Sequence, residues 1–307
     1  MAKGKSKNKF GLGLPDKDWS IINRIIESQE FQNLEELQAF LNKNIVGKTP
    51  EQLAAEFPME KADAQKAQDL VYEAMEVRSA AKARKLVEQA LKLDPDCVEA
   101  YEFKGDNSLT PEEALKWYQE GMDATRRRMG EAAFEAAKGH FWGVHETRPF
   151  MRCKQQSAFA HYALGQVEAA IHHLEEMLRL NPNDNQGIRY TLFDWLLIAR
   201  RYKDAARLHR RFAGDMFAGW QYGYAILLFK TKGDTVKARN ALEEAIDANP
   251  HVIEILTGAL EIPDELPDYY SPGDENEAIS YIASAHPLYT QDIKISQWII
   301  KTLERLE

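Results

Sequence analysis

The chain has 307 residues, 44% hydrophobic and 10% aromatic, which is ample for a core, and 48 acidic against 39 basic residues give a net charge of −9. An acidic body argues against duplex nucleic acid as the main partner, because phosphate binding needs a basic surface. No apolar run reaches the roughly 18 residues that a membrane-crossing helix needs, and the two distant cysteines, Cys97 and Cys153, have no CxxC or CxxH companion, so they read as packed, reduced thiols of a cytoplasmic protein.

Residues 1–14 form a basic tail with Lys3, Lys5, Lys7 and Lys9, and no apolar stretch follows that would make it a secretory signal. A solvated tail is the plain reading; weak contact with single-stranded RNA through these lysines is the alternative. Residues 15–60 read as an N-terminal helical segment. Asp16 and Asp18 can cap a helix carrying Trp19, Ile22 and Ile25. Asn33 opens a second with Leu34, Leu37 and Leu41 on one face, and Thr49-Pro50 opens a short third.

Residues 61–250 carry a repeat. Its clearest unit runs from Lys154 to Pro182, with Ala158, Leu164, Gly165, Ala170, Leu174 and Met177 at positions where two helices must cross closely, and Pro182 closes it. Ala170, Ala205 and Ala238 lie 35 and 33 residues apart, close to the 34-residue stride of tetratricopeptide hairpins. Small side chains are needed there because larger ones would hold the paired helices apart. A unit of this kind cannot bury its apolar face alone, so the expected fold class is an all-α, tetratricopeptide-like solenoid of stacked hairpins with helical caps at both ends. The stretch near 97–152 departs from the repeat and reads as an irregular insertion. Residues 251–307 read as a C-terminal helical cap: a helix over 251–260, a Pro-rich break around Pro263, Pro267 and Pro272, a helix from Asp274 to about Ala285, and a last helix over 289–306.

Two segments exceed what a repeat needs. Residues 139–152 combine His140, Trp142, His145, Glu146, Arg148 and Arg152 with glycine and proline. His140 and His145 are five apart, whereas a helical zinc pair wants four, and no third ligand is obvious. Glu146 and Arg148 read as an internal ion pair fixing an irregular junction; the alternative is a ligand or peptide contact with Arg148 and Arg152 as anion forks. The second segment, 181–190, begins with ordinary turn chemistry at Asn181-Pro182-Asn183-Asp184. Asn185, Gln186, Arg189 and Tyr190 go beyond a turn, and on the first helix of a repeat they would face the concave side, where they can bind a peptide backbone or a terminal carboxylate. No GxSxG, GxGxxG or P-loop motif is present, so no catalytic residues, metal or cofactor are assigned.

Four segments carry a family resemblance: 139–152, 178–190, 248–252 (Ala-Asn-Pro-His-Val) and 269–279 (Tyr-Tyr-Ser-Pro-Gly-Asp-Glu-Asn-Glu-Ala-Ile). Together they resemble bacterial tetratricopeptide-repeat proteins of unassigned function, and the last two are similar to the suppression-of-tumorigenicity-seven family. The resemblance covers about residues 33–300. It implies an all-helical repeat protein that binds other proteins, and it supplies no catalytic residues. Eukaryotic relatives have membrane segments; this chain has none, so no membrane role is transferred.

The expected function is therefore a cytoplasmic protein–protein interaction scaffold, not an enzyme. Its candidate partner-binding residues are Trp142, Glu146, Arg148, Arg152, Asn185, Gln186, Arg189 and Tyr190. A small-ligand receptor or enzyme built on the His140–Arg152 junction, and a weak RNA-binding accessory protein using the tail, are the alternatives. The apolar last helix leaves homodimerisation open.

Overall fold

A computed structural model describes residues 16–58 and 62–305. The basic tail, and with it the reading of its lysines as an RNA contact, lies outside the described residues. Within them the chain is all-helical, with no strand. In chain order the helices are α1 (Asp16–Glu27), α2 (Leu34–Asn44), α3 (Pro50–Glu56), α4 (Asp63–Glu76), α5 (Ala80–Leu93), α6 (Val98–Asp106), α7 (Pro111–Met129), α8 (Glu131–Ala137), α9 (Arg148–Ala163), α10 (Val167–Leu180), α11 (Ile188–Ile198), α12 (Tyr202–Arg211), α13 (Ala218–Lys232), α14 (Val236–Ala248), α15 (His251–Thr257), α16 (Glu275–Thr290) and α17 (Ile293–Leu303). No described helix is long and apolar enough to cross a membrane.

Local chemistry sets most of these boundaries. A capping box starts α3: Thr49 accepts from the Gln52 amide and the Gln52 side chain accepts from the Thr49 amide. Thr110, Thr235 and Asp274 cap α7, α14 and α16 from one side only, each side chain accepting from the amide three residues on. Where the sequence leads one to expect the penultimate helix to stop near Ala285, α16 instead runs through Pro287 to Thr290. Pro287 forfeits one intrahelical bond. Burial of Leu288 and Tyr289 holds the last turn nonetheless, and the final helix begins only after Asp292, which caps it.

The described residues divide into two compact units. The first comprises 16–136 and Glu146–Cys153. Its helices pack chiefly as the pairs α4·α5 and α6·α7, with α1 against α3. One apolar cluster joins Ala67, Val71, Ala74, Ala83, Val87, Ala90, Cys97 and Phe103; another joins Ile22, Ile25, Ile45 and Leu53. Both thiols lie here, buried and in no disulfide. Burial, then the Glu99 charge, pushes Cys97 up to about 12. Burial also pushes Cys153 up, so both are inert packing groups.

The second unit comprises Ala137–His145 and 154–305. Its successive hairpins place Ala170, Ala205 and Ala238 at zero exposure on α10, α12 and α14, which is where the alanine stride of the sequence put the close helix crossings. α16 packs on both α11 and α13, and α15 and α17 pack on α16. Gly223 shows how tight the α11–α13 crossing is: a Cβ there would sit 2.6 Å from a ring carbon of Phe193, itself fully buried. Gly223→Ala should therefore cost about 1–3 kcal/mol by overpacking, despite alanine's better helix propensity. Thermal denaturation should show that loss, and adding Phe193→Leu should recover part of it.

Candidate functional site

The second unit holds the richest polar constellation, built on the turn from α10 to α11. Asn181 is buried and its carbonyl accepts from the Asp184 amide at 3.0 Å; the Asp184 carbonyl then accepts from Gly187 at 2.9 Å. Asp184 takes a left-handed backbone (φ 52), and Gly187 a second one (φ 69), which glycine adopts without strain. The Asp184 carboxylate then caps α11 by accepting from the amides of Ile188 (2.9 Å) and Arg189 (3.1 Å).

Arg189 sits between two acids. Its Nη1 donates to Asp184 (2.9 Å) and its Nε to Asp215 (2.8 Å), whose side chains are 1% and 7% exposed. Tyr190 closes the network: its hydroxyl accepts from Arg189 Nη2 at 2.5 Å and donates to Asp215 at 2.8 Å. Burial pushes the Tyr190 phenol up, so it stays a donor throughout the ordinary pH range. Asp215 also accepts from the Phe217 amide, and its carbonyl accepts from the Gln221 side chain on α13. Rings wrap this polar centre. The Arg189 guanidinium lies 4.3 Å from the Tyr190 centroid and 5.4 Å from that of Phe212, and Phe217 packs edge-on between Tyr190 and Tyr270.

The remaining sequence candidates are placed as follows. Asn185 is exposed. Gln186 donates to Gln155 on α9 at 3.0 Å, while its own Oε1 is buried with no hydrogen-bond partner. In the His140–Arg152 segment, the Gly139 and Phe141 amides both donate to the Leu180 carbonyl (2.9 and 3.2 Å), and Trp142 is half-buried. His145, Glu146 and Thr147 form a 3-10 turn, and Arg148 opens α9, six residues before the repeat begins in the sequence pattern. Arg152 belongs to the first unit, where it makes a bidentate pair with Glu102 on α6 (2.7 and 2.9 Å), with Glu102 only 8% exposed. That geometry commits Arg152 to an internal carboxylate. Among the described residues no group of three or more His, Cys, Asp or Glu side chains is arranged to hold a metal ion.

The four segments singled out in the sequence turn out to be two touching pairs. Residues 139–141 bond to the end of α10, as above. The Asn-Pro-His turn meets the Gly-Asp-Glu segment through Asn249, which is fully buried: its amide donates to the Asp274 carbonyl (2.9 Å) and to Glu277 (2.8 Å). Glu277, 3% exposed, also accepts from the amides of Ala218 (2.7 Å) and Gly273 (2.6 Å), and Tyr222 donates to the Asn249 carbonyl. Three N–H donors satisfy this buried carboxylate without a cation. The less generic residues of both pairs thus fix the joints of the hairpins.

Sequence reasoning missed Asp215, Phe212, Phe217 and Tyr270. They lie 23 to 81 residues from Arg189 and carry no motif, so only the packing of α12, α13 and the Pro-rich strap brings them to it. It also missed Asp194 on α11. That side chain is 5% exposed and, among the described residues, has neither a hydrogen bond nor an ion pair; burial alone pushes its carboxyl well above the usual range. No protein-family model matches the chain, and no curated protein matches it.

Proposed function

We propose that this protein is a tetratricopeptide-like interaction scaffold that holds a peptide or protein segment along the first helices of its hairpins, α9, α11 and α13. The family resemblance of its four segments points the same way. The observation that carries this reading is the row Gln155–Gln186–Asn185 beside the Arg189 centre. Its neighbours are satisfied internally, but Gln186 Oε1 lacks a donor and Asn185 stands exposed. The exposed Asn185 amide can pair with the backbone of an extended segment, which presents an N–H every second residue on a given side, and the inward-facing Gln186 Oε1 gains a donor if its side chain turns outward to meet that segment. Arg189 and Arg152 are excluded as free anion forks by their bidentate or double acidic partners, so the expected contacts are backbone hydrogen bonds and not carboxylate capture.

A photo-crosslinking residue placed at Asn185 should trap a discrete partner in the native extract. The same residue at the exposed Glu244 on α14 should not. Equal labelling from both positions would sink this reading of the face.

A further inference from the structure

Between the end of α11, α13, α16 and the start of α17 lies a cavity of about 90 Å³. Its floor is apolar: Leu197, Ile226, Leu288 and Ile295. Its rim carries Arg200, Lys230 and Asp292. Lys230 is paired with Asp292, and the other oxygen of Asp292 accepts from the Lys294 amide at the head of α17. Arg200 has no ion pair among the described residues and is exposed, so the rim keeps one cation in excess.

The backbone at Arg200 is an independent observation. The turn from α9 to α10 is closed by Gly165 (φ 72), whose amide donates to the carbonyl of Tyr162, while the next amide, Gln166, donates to His161. The turn from α11 to α12 repeats this pattern bond for bond. The Arg200 amide donates to Leu197 and the Arg201 amide to Leu196, with Arg200 itself at φ 58. The turn from α13 to α14 again has a glycine, Gly233 (φ 75). A left-handed residue costs an L side chain energy that glycine escapes, and non-glycine residues held there cluster at ligand clamps. Of these three turns, the one built on a charged residue in place of glycine contributes that residue to the lining of the cavity.

From the cavity and the rim together we infer that this is a binding site for a short aliphatic carboxylate, its alkyl group on the apolar floor and its carboxylate on Arg200 with Lys230 beside it. The volume takes about three to four carbon atoms, fewer than the benzene ring that a 150 Å³ cavity admits. The excess cation selects an anion, and a planar guanidinium suits a carboxylate. The acid can arrive free or as the C-terminal residue of a chain. The inference does not rest on the scaffold reading, since no residue is shared.

Isothermal titration calorimetry with isovalerate tests it, with uncharged isovaleramide as control and N-acetyl-L-leucine standing for a chain terminus. Wild-type protein should bind isovalerate at least tenfold more tightly than isovaleramide. Arg200→Gly should keep or raise the melting temperature, because glycine relaxes the turn, yet bind isovalerate at least tenfold more weakly. If N-acetyl-L-leucine binds as well as isovalerate, the site accepts chain ends; if it does not, the site is for free acids. No binding of either acid at millimolar concentration, equal binding of the amide, or unchanged binding by Arg200→Gly would each overturn the assignment.

Discussion

Replacing Asp194 by asparagine should stabilise the protein at neutral pH, by on the order of 2 kcal/mol. Asp194 projects from α11 into a region of rings: burial first, with the nearness of Asp194 as a further cause, raises the phenols of Tyr162 on α9 and of Tyr281 and Tyr289 on α16, and those two α16 hydroxyls are bonded to each other at 2.8 Å. No cation or donor compensates its carboxyl, so the folded protein favours the protonated acid. The pH dependence follows. Below the ordinary carboxylate range the side chain is neutral whether the chain is folded or not, and its charge costs nothing. As pH rises past that range the unfolded chain gives up the proton while the folded one keeps it. Stability then falls by up to about 1.4 kcal/mol per pH unit until the folded-state value is reached. Asparagine has no proton to lose. Urea denaturation at pH 5 and pH 8 should therefore show the variant ahead of wild type, and further ahead at pH 8. A gap that does not widen with pH would mean that the carboxyl is solvated or paired in solution.

The opposite outcome is expected at Arg189. Truncation to methionine keeps most of the volume but leaves Asp184 and Asp215, both almost fully buried, without their cation. The loss of one partner of a buried pair costs about 3–5 kcal/mol, because an uncompensated charge remains. Arg189→Lys should recover only part of this, since one ammonium cannot reproduce the Nε, Nη1 and Nη2 bonds to Asp215, Asp184 and Tyr190. Arg189→Met combined with Asp215→Asn should be less destabilised than Arg189→Met alone, because one of the two stranded charges is gone. Denaturation of these proteins together with the Asp215→Asn single variant gives the coupling directly. Near-neutral behaviour of Arg189→Met would show that water, not the protein, solvates these carboxylates.

These two residues sit five positions apart on one helix, and the sequence distinguishes them poorly. Arg189 looks like a contact for a peptide backbone or terminal carboxylate because its partners are elsewhere: Asp184 is visible as turn chemistry, but Asp215 becomes a partner only when α12 folds back. Asp194 looks like an ordinary polar position of an amphipathic helix because nothing local reveals that α16 covers that face. Arg152 is a third case. Its partner, Glu102, is 50 residues away on α6. The helical hairpins were easier. The alanine stride, the Thr-Pro starts and the Asn-Pro stops act within one turn or one hairpin, and each reappears where expected. The six extra residues at the head of α9 and the passage of α16 through Pro287 were not readable, because tertiary burial there overrides the local signal.

What the sequence by itself determined is the set of contacts with short range. Caps, left-handed turns and small residues at helix crossings are governed by bonds between residues at most a hairpin apart, and these produce the all-helical chain. What only the tertiary structure decided is the electrostatic state of each polar side chain. A carboxylate is neutral, capped or paired according to which distant helix covers it. Asp194, Glu277 and Asp215 end in those three states for that reason: one meets rings, one meets three N–H groups, and one meets an arginine.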